Sequence, residues 1–217
     1  MSKLNSYQYH IPPVWAVAAA AALFVLLAVQ VVATGGSFVD APVYGAVSKL
    51  ICPPLTAVVK VLTQFGGTTL LVVLCVITCL LFWRLWGWRL VVVNGANLFL
   101  ASYCNKLIKV LVQRPRPAVE HLVEQGGFSF PSGHSLSAMA FYGLIALILL
   151  NRLPGKKGRW AAALLGVLIL LVGLSRIYVG VHFASDVLAG LCEGFIWLGL
   201  ITRIPWVKGA ITGRKEN

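Results

Sequence analysis

Negative charge is what this chain has least of: six Asp and Glu residues stand against 18 Lys and Arg in 217 residues. Apart from Asp186, treated below, the carboxylates Asp40, Glu120, Glu124, Glu193 and Glu216 are dispersed, so no cluster of hard oxygen ligands is expected and no metal or cofactor is called for. Charge of either sign is scarce, at 11% of residues, whereas 59% are hydrophobic and the mean hydropathy is +0.87, which excludes an ordinary soluble domain. Cysteines number five, scattered through apolar runs, and their odd count and lack of CxxC spacing exclude a disulfide framework or a zinc site. Cys75 and Cys79, on one helix face, read as small packing residues. Long linkers, low-complexity tracts and repeats are absent too, so residues 1–217 are expected to form a single domain.

What is present is a series of long apolar runs. Each helical crossing of a bilayer needs about 20 apolar residues, so a chain of this length accommodates five or six. The first run, Val14 to Ala33, is too long for a signal-peptide core and reads as a retained span. Others follow at Thr68 to Trp83, Leu90 to Leu111, Ser135 to Leu150, Trp160 to Val179 and Val187 to Ile204. Between the first two, Phe38 to Phe65 carries Asp40, Lys49 and Lys60 and is broken by Pro53-Pro54, which fits short helices lying in the interface. The expected fold is all-α: an integral-membrane six-helix bundle with a short interfacial helical segment between spans 1 and 2.

Six spans put both termini on one side. That side then holds Lys3, Arg84, Arg89, Arg152, Lys156, Lys157, Arg159, Arg203, Lys208, Arg214 and Lys215, and the other holds Lys49, Lys60, Lys106, Lys109, Arg114, Arg116 and Arg176. The imbalance assigns the termini to the cytoplasm, with Trp83, Trp86, Trp88 and Trp160 as an aromatic belt at that boundary. The net charge of +12 is thereby read as loop charge facing a membrane rather than as a nucleic-acid surface, for which no motif is visible.

Three polar clusters fall at the extracytoplasmic ends of spans, where charged groups are costly and their convergence implies a shared site. The first, Lys109 to Pro117, aims Lys109 and Arg116 from a proline-stiffened turn; alone, it also fits cations snorkelling at a helix end. The second, Pro131-Ser132-Gly133-His134, opens a helix with a capping serine, a glycine that lets backbone N–H groups approach an anion, and a histidine able to protonate a leaving oxygen; alone, it is equally a plain N-cap. The third runs from Ser175 and Arg176 to His182 and Asp186. His182 and Asp186 are four apart, on one helical face, so the carboxylate can hold one imidazole nitrogen protonated and leave the other as a nucleophile; a structural His–Asp bond is the alternative.

Together these clusters resemble the type 2 phosphatidic acid phosphatase superfamily, which shares its site with vanadium haloperoxidases. The family's Lys-x6-Arg-Pro, Pro-Ser-Gly-His and Ser-Arg-x5-His-x3-Asp elements are matched by Lys109 to Pro117, Pro131 to His134 and Ser175 to Asp186, within a motif core at 106–190. The resemblance implies a bacterial-type membrane lipid phosphatase. His182 would form a phosphohistidine, Asp186 would orient it, and His134 would protonate the leaving group and then activate water. Lys109, Arg116, Ser132, Gly133, Arg176 and Ser175 would hold phosphoryl oxygens. The implied partners are the bilayer and a lipid phosphate: phosphatidylglycerophosphate, phosphatidic acid or undecaprenyl diphosphate. Phosphotransfer to another lipid, or anion transport by a non-catalytic chain, are the competing readings; transport needs the cations but not the His-Asp-His set.

Outside the motifs, Glu193 lies seven residues beyond Asp186 on the same face, as a packing residue or one that tunes the site. Asn94 and Asn97 are expected to bond between helices. Glu120, His121 and Glu124, in the loop between the first two motifs, are by position candidates to contact a head group.

Overall fold

A computed structural model describes residues 9–153 and 155–213, which form helices and loops with no strand among them. Lys3, Arg214, Lys215 and Glu216 lie outside the described residues. In chain order the elements are α1 (Val14–Thr34), α2 (Asp40–Val47), a short 3-10 turn (Ser48–Leu50), α3 (Pro53–Gln64), α4 (Thr68–Trp86), α5 (Trp88–Val112), α6 (Gly133–Arg152), α7 (Lys156–Tyr178), α8 (Ala184–Ile201) and α9 (Pro205–Thr212). The protein is an all-α, multi-pass membrane bundle.

Five helices, α1, α4, α6, α7 and α8, are long and apolar enough to cross a membrane. The sixth long helix, α5, has 25 residues but carries several polar ones, and these turn inward: Asn94, Asn97 and Asn105 are buried. Asn94 donates to Thr78 of α4 at 2.8 Å, and Asn97 donates to the Ala140 carbonyl of α6 at 2.9 Å while accepting from Trp197 of α8. Each such bond is worth about 0.6 kcal/mol in a membrane, so the asparagines set register more than stability. The short helices α2 and α3 occupy the segment read as interfacial; α9, after Pro205, was not expected.

Burial separates the helices into two classes. About half of α6 and α8 is inside the bundle (50% and 56% of their apolar windows), against 11% for α1 and 17% for α4, so α6 and α8 form the axis and α1 and α4 face lipid. Close approach on the axis depends on glycine. A Cβ on Gly190 would lie 2.4 Å from the Ser132 carbonyl, and one on Gly194, a turn later, 2.7 Å from the Met139 Cβ. Two span ends differ usefully from the sequence reading. The polar residues before Ser135 do continue α6, which begins at Gly133, and α8 begins at Ala184, so Asp186 is in its first turn rather than before it.

Candidate active site

All three polar clusters meet at one end of the axis. Ser132 caps α6: its side chain accepts from the Ser135 amide at 3.4 Å and from the Ser135 hydroxyl at 3.0 Å, and its own amide donates to the Asp186 carbonyl at 2.9 Å. This ties the start of α6 to the start of α8. Gly133 and His134 are the first two helical residues, where free N–H groups and the helix dipole favour an anion. Gly133 also lies close to Lys109, since a Cβ there would come within 3.9 Å of the lysine Cε.

His182 sits in the tight turn between α7 and α8. Gly180 supplies a positive φ of 77° there, and its bare Cα lets the Glu120 carbonyl approach to where a Cβ would meet it at 2.5 Å. The backbone amides of Val181 and His182 donate to the Arg176 carbonyl, both at 3.3 Å. Asp186, third residue of α8, reaches back: its Oδ2 accepts from the Phe183 amide at 2.9 Å and lies 3.3 Å from His182 Nδ1. Because a carboxylate only accepts, Nδ1 carries the proton and Nε2 is left with its lone pair. Nε2 in turn faces the guanidinium of Arg116, 3.3 Å from Nη1. Burial pushes the His182 imidazolium down to about 4, with Lys109 and Arg116 acting in the same sense and Asp186 opposing them. The ring is therefore neutral at pH 7.

Three cations surround this pair without a carboxylate of their own among the described residues. Lys109 donates to the carbonyls of Phe128 (2.8 Å) and Ser129 (3.1 Å). Arg116, lowered from its ordinary value chiefly by burial, donates to the carbonyls of Val181, Gly126 and Gly127. Arg176, only 1% exposed, donates to Thr63 Oγ1 and Gln125 Oε1, both at 2.7 Å, and its Nε has no partner. Arg176, His182, Arg116 and Lys109 all lie near enough to act electrostatically on His134. A Cβ on Gly66, just after α3, would press on the His134 side chain at 3.0 Å, so the interfacial segment packs directly behind that ring.

Of the residues chosen from sequence, Ser175 stands apart: its hydroxyl donates to the Val172 carbonyl of its own helix at 2.6 Å. Glu193 accepts from Asn105 at 2.8 Å through Oε2, leaving Oε1 unpartnered. His121 is held by the Pro117 carbonyl. Two residues that the sequence reading passed over belong here. Arg114, counted there as a loop cation, is 3% exposed and lies 2.6 Å from Asp186 Oδ1 and 2.7 Å from Asp40 Oδ2. Asp40, read as a dispersed carboxylate, is thus brought to the site from α2. The sequence signal available was Arg-Pro-Arg-Pro at 114–117, two arginines alternating with prolines, of which only the second was assigned a task.

Beside the site, a largely apolar groove of about 460 Å³ runs between α4 and α5. Leu71, Val72, Leu98 and Phe99 line it, with Lys106 and Ser137, a turn from Lys109 and His134 respectively, also on its wall.

A model of the PAP2 superfamily matches residues 86–210. Phosphatidylglycerophosphatase B of Bacillus subtilis is 34% identical over 184 residues, covering 82% of this chain and 89% of that protein. Undecaprenyl-diphosphatase BcrC of the same species is 38% identical over 97 residues, 42% of this chain and 46% of its own. The crystal structure of a transmembrane PAP2-type phosphatidylglycerolphosphate phosphatase from Bacillus subtilis superimposes with a TM-score of 0.81 at 30% identity, covering 92% of this chain and 98% of that one.

Proposed function

The chain belongs to the PAP2 superfamily and is a multi-pass membrane lipid phosphatase; from that premise we propose that His182 is its nucleophile and that a lipid phosphomonoester of the phosphatidylglycerophosphate class is its substrate. The observation that carries the first part is the arrangement around one imidazole: Asp186 holds Nδ1, and Nε2 opens toward Arg116, both at 3.3 Å. The second part is supported by similarity to phosphatidylglycerophosphatase B along nearly the whole chain, against less than half for the undecaprenyl-diphosphatase. The apolar groove beside Lys106 and Ser137 gives an acyl chain a place while its phosphate reaches the polar end.

In the first step Nε2 of His182 attacks phosphorus and the bond from phosphorus to the lipid oxygen breaks. His134, protonated beside the bound anion, gives its proton to that leaving oxygen. In the second step the neutral His134 takes a proton from water. The water oxygen attacks phosphorus, the phosphorus–nitrogen bond breaks, and inorganic phosphate leaves with His182 restored. Lys109, Arg116, Arg176 and the N-terminus of α6 at Ser132 and Gly133 hold the equatorial oxygens as charge shifts onto them. The Ser175 hydroxyl, engaged within α7, contributes through the helix rather than to the phosphate. No step draws on a metal, and among the described residues no group of His, Cys, Asp or Glu is spaced to hold one.

We place this site on the extracytoplasmic side, with Arg84, Arg89, Arg152, Lys156, Lys157, Arg159, Arg203 and Lys208 at the cytoplasmic end. The chemistry is tested by purified protein in detergent with excess EDTA. Phosphate release from phosphatidylglycerophosphate that disappears in His182→Ala is expected; full activity in that variant, or its loss in EDTA, would refute the mechanism. A panel adding phosphatidic acid and undecaprenyl diphosphate fixes the substrate. For sidedness, a single cysteine at Glu124 in a cysteine-free background should react with an impermeant thiol reagent in intact cells, and labelling only after lysis would invert the topology.

A further inference from the structure

Arg114 bonds to Asp186 rather than to His182 itself, and it is among the most fully committed side chains in the protein. Its Nη1 donates to Asp186 Oδ1 at 2.6 Å and to the Ser185 hydroxyl at 2.8 Å, its Nη2 donates to Asp40 Oδ2 at 2.7 Å, and its Nε donates to the Gly35 carbonyl at 3.3 Å. Its face stacks on the Phe183 ring, 3.9 Å from the centroid. Asp40 is equally engaged: Oδ1 accepts from the Ser185 amide and Oδ2 from the Ser37 amide, each at 2.9 Å. The backbone is bent to reach this place. Gln113, a non-glycine residue at φ 52°, ends α5 in the left-handed region, and Pro115 prevents the helix from resuming.

We propose that Arg114, anchored by Asp40, is a positioning residue for the nucleophile: it fixes the Asp186 carboxylate so that Oδ2 stays on His182 Nδ1, and it shares that carboxylate's charge. This rests on the reading of His182 as nucleophile. Buried ion networks are weak devices for stability, since desolvation offsets most of the attraction, but they hold one geometry. Here the order along the line is Asp40 negative, Arg114 positive, Asp186 negative, then the imidazole. Arg114 draws negative charge away from His182, and Asp40 restores part of it. The other charged groups acting on His182 are Lys109 from α5 and Arg116 from the following loop; across the site stands His134 of α6, which His182 and Arg176 of α7 both face. Because Asp40 belongs to α2, the interfacial segment takes part in setting the nucleophile.

The two members of the pair have opposite charges, so their removal has opposite signatures. Measured with phosphatidylglycerophosphate in detergent micelles, Arg114→Gln is expected to lower kcat by about 10- to 100-fold, the rate equivalent of one or two hydrogen bonds to a charged group, with KM within about threefold. The acid limb of its pH profile moves up, because Asp186 then acts undiluted on His182. Asp40→Asn, nearly isosteric, lowers kcat less and moves the limb down. Arg114→Lys keeps the charge without the fork, so its limb stays near the wild-type position while kcat falls. If Arg114→Gln fails to fold, Asp40→Asn and Arg114→Lys carry the comparison alone. Wild-type kcat in these variants, an Asp40→Asn limb that is unmoved or moves up, an Arg114→Gln limb that is unmoved or moves down, or a displaced limb in Arg114→Lys would overturn the proposal. His182→Ala in the same assay separates the two levels: activity there would overturn the nucleophile and this inference with it, whereas an inactive His182→Ala beside wild-type-like Arg114 and Asp40 variants would overturn the positioning pair only.

Discussion

The two flanks of His182 are built on opposite electrostatic plans. In front, Lys109, Arg116 and Arg176 meet only neutral groups, namely carbonyls, a threonine hydroxyl, a glutamine amide and the His182 imidazole, so their charge remains uncancelled. Behind, Asp186, Arg114 and Asp40 alternate in sign at 2.6–2.7 Å, so much of their charge is offset locally and one net negative charge remains. Cations on neutral acceptors leave a strong potential for an incoming phosphate in a poorly hydrated place. The alternating charges behind leave a weaker field, and what they chiefly supply is direction. One flank attracts and stabilises; the other aims.

The sharpest way to break the rear flank at its contact with the ring is Asp186→Asn. It replaces an acceptor by a group that donates as well, favours the wrong imidazole tautomer, and should lower kcat by about 10³- to 10⁴-fold in single-turnover phosphate release. On the front flank, Arg176→Gln removes a buried cation with an unpartnered Nε, and a drop in kcat/KM of about 10²- to 10³-fold is expected. An equal loss in KM alone, with kcat intact, would make Arg176 a ground-state binder only. Gly66→Ala tests the wall behind His134. The new methyl group has no room against Val172 and His134, and a loss of about tenfold in kcat, matching one to two kcal/mol of overpacking, should appear with a small drop in melting temperature.

Mild acid should leave the nucleophile's own ionisation almost untouched. A histidine lowered to about 4 is deprotonated, and so nucleophilic, above that value, and loses its lone pair as pH falls through it. Between pH 8 and pH 5, kcat/KM corrected for the substrate's own second ionisation near pH 6 should change less than about twofold on account of His182. An acid limb at the ordinary histidine value would mean that Asp186 outweighs burial and the front cations.

The front flank was legible in the chain and most of the rear flank was not. Lys109, Arg116, His134, Arg176, His182 and Asp186 occur at spacings set by helix ends, so the pattern of the sequence carries their convergence. The Asp40–Arg114 contact joins residues 74 apart through a segment that does not span, and no periodicity links α2 to the start of α8. The same limit applies to Gly66, whose importance is a clearance of a few ångströms against His134. The spans themselves were readable because apolar length is a strong signal, although α5, read as an apolar run at Leu90 to Leu111, is more polar than the five helices apolar enough to cross a membrane. The loop between the first two motifs also makes contacts that spacing does not show. Glu120 contributes its backbone carbonyl under Gly180, and Gln125, not singled out, is the residue that meets Arg176.

The glycines at the α6–α8 contact bear on how such a protein diversifies. At Gly190 and Gly194 a single added methyl group would collide with Ser132 or Met139, so substitution is barred along the seam between α6, which carries His134, and α8, which carries Asp186. The lipid-facing sides of α1 and α4 carry no such veto. The room for change therefore lies on the outer helices, away from the contact that sets the site, and α4 among them forms one wall of the apolar groove.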